Sequence, residues 1–176
     1  MEKDLCQNNN SIIKNLFFFA LKINYSEDNN ENYCINFTLD IDIEQIKKKQ
    51  VDIYDILNSI NVEEYHDNNK PKKIIRKFKF LPDYLIIIIR NNINITIDYK
   101  FDEIIDIKPY ISYNLKKKGK YELVSLIENN KIIICKSSED NIWYKYGSRF
   151  ENIFNYNFKV KKPFLPQLLI YKCIDI

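Results

Sequence analysis

From residue 34 to 43 apolar and polar positions alternate: Ile35, Phe37, Leu39, Ile41 and Ile43 are separated by Asn36, Thr38, Asp40 and Asp42. A period of two is that of a strand with one face buried and one wet. Residues 51–60 then change period. Ile53, Ile56, Leu57 and Ile60 fall on one stripe behind an acidic first turn, which predicts a short amphipathic helix. Upstream, Ser11 precedes apolar groups at helical spacing (Ile12, Ile13, Leu16, Phe17), and the reading there is one short helix or a helix-to-strand transition. Residues 63–73, with His66 and Pro71, read as a polar loop.

Residues 74–80 alternate again, and residues 85–89 (Leu-Ile-Ile-Ile-Ile) are too short for an average helix and too apolar for an edge, so they predict a central buried strand. Ile93, Ile95 and Ile97 alternate with polar neighbours, and Ile104, Ile105 and Ile107 lead to Pro109-Tyr110. Residues 121–127 and 131–136 predict a hairpin turned by Glu128-Asn129-Asn130, and residues 143–146 and 168–171 supply two more strands. No repeat or linker interrupts this series, so one domain over residues 1–176 is expected, α+β in class, mainly antiparallel sheet with one or two short helices.

Composition adjusts this picture in a few places. The 176 residues are 45% hydrophobic with a net charge of +3, within the range of an ordinary folded domain. Alanine occurs once, as Ala20, and glycine twice, while isoleucine, asparagine, lysine and tyrosine abound; the asparagine runs therefore mark polarity, not recognition. No apolar run is long enough for a bilayer, and the start lacks a signal-peptide pattern, so a cytoplasmic or nuclear setting without a membrane partner is expected. Cys6, Cys34, Cys135 and Cys173 stand far apart, which builds no local metal or redox pair; they are expected to be reduced and mostly buried, and neither metal nor cofactor is expected. The lysines of residues 70–79 and 116–120 read as solvated turns and strand edges. With so little arginine beside them, they disfavour nucleic acid as the partner.

The order of several short motifs carries a resemblance. Leu81-Pro82-Asp83-Tyr84-Leu85-Ile86-Ile87 resembles the Leu-Pro-x-x-Leu-Ile-Ile strand of ubiquitin-specific proteases. Residues 101–110 resemble that family's following segment up to Pro109-Tyr110, with Asp102 in place of a proline. Residues 121–127 are similar to the strand leading to the catalytic histidine, Trp143-Tyr144-Lys145-Tyr146 to the segment before the acidic member, and residues 166–171 to the terminal strand. The resemblance covers about residues 35–171 and implies the palm half of a papain-like cysteine peptidase fold, with helical thumb and zinc fingers missing.

That family's mechanism needs a thiolate, an imidazole to activate it and an acid or amide to orient the imidazole. Carried over position by position, the histidine place falls on Asn130, which does not titrate near neutral pH, and the acidic place on Gly147-Ser148. Cys6 is the candidate descended nucleophile, in a spacing one residue too long, and the sole histidine, His66, falls outside the matched positions. The resemblance thus implies a catalytically inactive protein that binds ubiquitin, a ubiquitin-like protein or another protein covering the palm face. Tyr84, Tyr110, Tyr113, Trp143, Tyr144 and Tyr146 are its candidate aromatic anchors, with core packing as their competing role. Self-association through an uncovered edge is a further expectation. Two competing readings are a residual deubiquitinase completed by another chain and a scaffold protein of a ribonucleoprotein assembly.

Overall fold

The computed structural model describes residues 16–17, 19–25, 32–46, 48, 50–67, 70–90, 98–112, 119–128, 132–147, 150–153 and 166–175. Cys6, Tyr113, Asn130, Ser148, the lysines at 116–118 and the alternating residues 93–97 lie outside them. Leu16 and Phe17 are helical and β1 (Phe19–Tyr25) begins two residues later, in line with the helix-to-strand transition, one of the two readings there. β2 (Asn32–Asn36) and β3 (Thr38–Asp42) follow, then a 3-10 turn (Ile43–Ile46), β4 (Gln50–Asp52) and helix α1 (Ile53–Asn61). β5 (Val62–Asp67), β6 (Lys70–Phe80), β7 (Tyr84–Arg90), β8 (Asp98–Lys100) and β9 (Ile104–Asp106) precede a second 3-10 turn (Lys108–Tyr110). β10 (Lys120–Glu128), β11 (Ile132–Lys136), β12 (Trp143–Tyr146), β13 (Phe150–Ile153) and β14 (Pro166–Cys173) complete the series.

Two sheets dominate. One is four-stranded and antiparallel, in the order β2-β1-β6-β5; the other is eight-stranded, β13-β12-β11-β10-β14-β7-β3, with β9 also paired to β10. Parallel pairing occurs at β3–β7 and in the small β4–β8 pair. Helix α1 starts where Asp52 leaves β4. Its Oδ1 accepts from the Asp55 amide at 2.8 Å and Asp55 Oδ2 accepts from the Asp52 amide at 3.2 Å, a capping box that satisfies two otherwise orphaned donors. Ile53, Ile56 and Leu57 form the buried stripe. They join one contiguous cluster with Phe19 and Phe78 of the smaller sheet and Ile87, Leu123, Ile134 and Tyr171 of the larger.

Several expectations are corrected. The alternating residues 34–43 are two strands in two sheets, because the chain bends at Phe37 and crosses from one sheet to the other without losing its period. The polar loop at 63–73 is a hairpin: β5 pairs with β6 from Val62↔Ile75 to Asp67↔Lys70, so backbone pairing outweighs the polar side chains. The lysines of 70–79 consequently lie along β6, an inner strand, and not on a turn or edge. Cys34, Cys135 and Cys173 form no disulfide among the described residues and are half-buried, since each sits on a sheet position only partly covered. Finally, β7 is central but not buried on both faces: Leu85, Ile87 and Ile89 are buried while Ile86 and Ile88 remain half-buried.

Candidate functional site

The burial alternation in β7 propagates across the larger sheet. Reading the register from strand to strand gives one row, Ile88–Leu168–Ile127–Ile133–Tyr146, and beside it a second, Ile86–Ile170–Ser125–Cys135–Tyr144. Directly opposite residues in a sheet share a face. These ten positions are therefore one surface, half-buried for most of its length and ending on Ile133 and Tyr146, which are 45% and 44% exposed. The intervening residues Ile87, Leu169, Leu126 and Ile134 face the other way, into the core. Tyr84 joins the outer surface through its pairing with Lys172. Among the candidate anchors, Tyr84, Tyr144 and Tyr146 thus share a surface, whereas Trp143 and Tyr110 are buried, Tyr110 donating its hydroxyl to Asn58 Oδ1 at 3.0 Å.

The β11–β12 hairpin shapes the far end of this surface. Its turn contains Asn141 at φ 58°, a left-handed conformation that asparagine tolerates. Asp140 accepts from the Ile142 amide at 2.9 Å and from the Tyr144 hydroxyl at 2.7 Å, and the Tyr144 bond is the main reason its carboxyl is held below the usual range. At the opposite end, Gly147 faces Ile132, and a Cβ built there would sit 3.7 Å from Ile132 Cγ1, an ordinary contact. The backbone does not require glycine here; a side chain would fit.

Cys135, between these ends, is the sulfur that the sequence reading did not single out for the site. Burial pushes its thiol up, and a hydrogen bond with Tyr146 only partly opposes this, so it stays a protonated thiol near neutral pH. His66 lies on β5 in the other sheet, opposite Pro71 in register. Among the described residues no three His, Cys, Asp or Glu groups gather as a metal site. No helix among them is long and apolar enough to cross a membrane.

A second feature, also missed from sequence, is a groove of about 790 Å³ where the two sheets meet α1, lined by Leu21, Ile23, Asn36, the whole of β3, Arg76 and Arg90 among others. Each arginine is ion-paired, Arg76 with Glu63 and Arg90 with Asp40, and Arg76 also donates to the Ile60 carbonyl at 3.4 Å. The available signal was arginine itself, present only as Arg76, Arg90 and Arg149 in a chain whose other basic residues are lysines.

This architecture, mixed but mostly antiparallel sheet with one helix of more than a turn among the described residues, is that of the ubiquitin-specific protease palm, a papain-like fold. Among the solved chains it resembles are several from the SAGA DUB module. A chain of the module carrying a variant Ubp8 and a shortened Sgf11 with Sus1 and Sgf73 matches with a TM-score of 0.75 and 19% identity over 99% of this chain and 45% of its own. A chain of the yeast SAGA module carrying a variant Sgf73 gives 0.74 and 18% identity over 100% and 46%. A chain of the module bound to ubiquitin aldehyde gives 0.71 and 20% identity over 97% and 44%. This chain therefore spans less than half the length of these solved chains. No family model and no curated protein matches it.

Proposed function

We propose that this chain is a ubiquitin-specific-protease-like palm, folded as a single unit over residues 1–176, that binds protein without hydrolysing it. The observation that carries the reading is the pair of rows on the outer face of the larger sheet. Five strands there present isoleucine, leucine and tyrosine outward, a composition suited to contact with a protein surface and not to water. Ile133 and Tyr146 are the most accessible anchors and Tyr144 flanks them. The absence of hydrolysis is supported by position: the chain's sole imidazole, His66, belongs to the other sheet, and the hairpin end carries Gly147 where an orienting acid or amide would stand.

Ubiquitin or a ubiquitin-like protein is the proposed partner, because solved neighbours are recorded with monoubiquitin and with ubiquitin aldehyde. The test titrates the chain into isotope-labelled ubiquitin and incubates it with a ubiquitin-amide reporter. Saturable shift changes that weaken in Ile133→Asp, with no turnover above buffer, are expected. Turnover that disappears in Cys6→Ser would sink the non-hydrolytic reading, and unchanged ubiquitin spectra at millimolar protein would remove ubiquitin as the partner.

A further inference from the structure

Among the described residues four strands stand at the ends of the two main sheets, and they differ in one respect. β5 carries Glu63, Glu64 and Asp67, β3 carries Asp40 and Asp42, and β13 carries Glu151. Charges of this kind keep an edge from pairing with its own copy, since antiparallel self-pairing would set carboxylate near carboxylate. β2 carries none: its residues are Asn32, Tyr33, Cys34, Ile35 and Asn36. Its outward side chains, moreover, are apolar. Tyr33 is 47% and Ile35 48% exposed, Phe37 just beyond the strand is 45% exposed, and Phe80 is 53% exposed. Ile35 and Phe80 both pair with Ala20 on β1, so they sit on one face with a small residue between them.

We propose that β2 is a self-association edge, pairing antiparallel with β2 of a second copy about a two-fold axis through Cys34, so that the four-stranded sheet continues as eight strands across the axis. The register is self-complementary. Tyr33 meets Ile35 of the second copy, and the reverse, giving two aromatic to β-branched pairs; Asn32 meets Asn36 of the second copy twice, giving polar pairs without charge. Lys22 sits on β1 and Lys79 on β6, one and two strands from the axis, with Lys79 Nζ 5.9 Å from the Tyr33 ring centroid. Four aromatic or branched side chains about half exposed offer roughly 350 Å² per copy. That is somewhat under half of the roughly 800 Å² that a standard stable interface takes from each partner, with the strand backbone adding to it, so a weak, concentration-dependent dimer is expected.

The register also places Cys34 against its own copy, at a Cα separation of about 4.5–5.5 Å for facing antiparallel residues, inside the roughly 4.4–6.8 Å range of disulfides. Sedimentation equilibrium of the full chain under reducing conditions should show a monomer–dimer equilibrium. Ile35→Lys, with an unchanged circular dichroism spectrum, should weaken it about tenfold or more, whereas Glu64→Lys on the β5 edge should not. Should Ile35→Lys misfold, the unaltered chain still decides. Copper–phenanthroline with dioxygen, taking two electrons and two protons from a pair of thiols, should yield a dimer whose cross-link maps to Cys34, while Cys34→Ser loses the cross-link and keeps the non-covalent dimer. A chain that stays monomeric at high concentration, a dimer indifferent to Ile35→Lys, or a cross-link only through other cysteines would overturn the proposal.

Discussion

Tyr121 shows how one side chain fastens the crossing between the sheets. It is fully buried on β10, and its hydroxyl donates to the Pro82 carbonyl at 2.7 Å, in the short segment where the chain leaves β6 for β7. Tyr171 on β14 likewise donates to a carbonyl, that of Asp102 between β8 and β9, at 3.1 Å. Tyr121→Phe leaves a buried carbonyl without its donor, and a loss of about 1–3 kcal/mol is expected, read as a lower urea midpoint with unchanged slope. Tyr144→Phe, whose partner Asp140 is open to water, should leave the midpoint near that of the parent chain. Burial also pushes the Tyr121 and Tyr171 phenols up, and that of Tyr99 to about 12. The unfolded chain releases these protons near pH 10, before the folded one does. Stability should therefore hold below about pH 10 and decline above it as the unfolded state alone ionises. Urea midpoints that stay level from pH 9 to about pH 11 would contradict this. The sequence marked Tyr121 and Tyr171 as motif positions, but their partners are carbonyls 39 and 69 residues away, a relation no local pattern encodes.

At the scale of elements, legibility follows how far each element's pattern is set by neighbours in sequence. Helix α1 was legible because its stripe and its cap both lie within residues 52–61. Asp52→Ala should cost about 1 kcal/mol through the lost cap, with the helix otherwise retained. The β2–β3 break was illegible for the opposite reason: a bend at Phe37 preserves alternation, and only long-range pairing tells that Ile35 sits beside β1 while Leu39 sits beside β7. In β7, a continuous apolar run signalled burial on both faces, but only alternate residues are buried. Ile87→Ala should therefore cost about 2–5 kcal/mol, the usual range for emptying a core position, and Ile86→Ala distinctly less, because Ile86 already meets solvent. Equal losses at both positions would mean that the outer face is covered in the isolated chain.

Across the whole molecule, the relevant question is whether two sheets joined at Phe37, through β4 and α1, and at residues 81–83 behave as one cooperative body. The buried side chains argue that they do. The cluster runs without a break from Phe19 and Phe78, whose rings meet edge to face at 5.6 Å, through the α1 residues to Ile134 and Trp143 at the far side of the larger sheet. The two halves belong to one contiguous buried cluster, so unfolding one sheet would expose the apolar surface that the other buries against it. Trp143, the chain's sole tryptophan, reports from β12, four strands from β7 in the sheet order, whereas far-ultraviolet circular dichroism reports on both sheets together. Urea transitions followed by the two signals should coincide within error. A tryptophan transition at clearly lower urea would show the β11–β12 hairpin opening on its own, and would place the proposed binding surface on a separately unfolding part of the sheet.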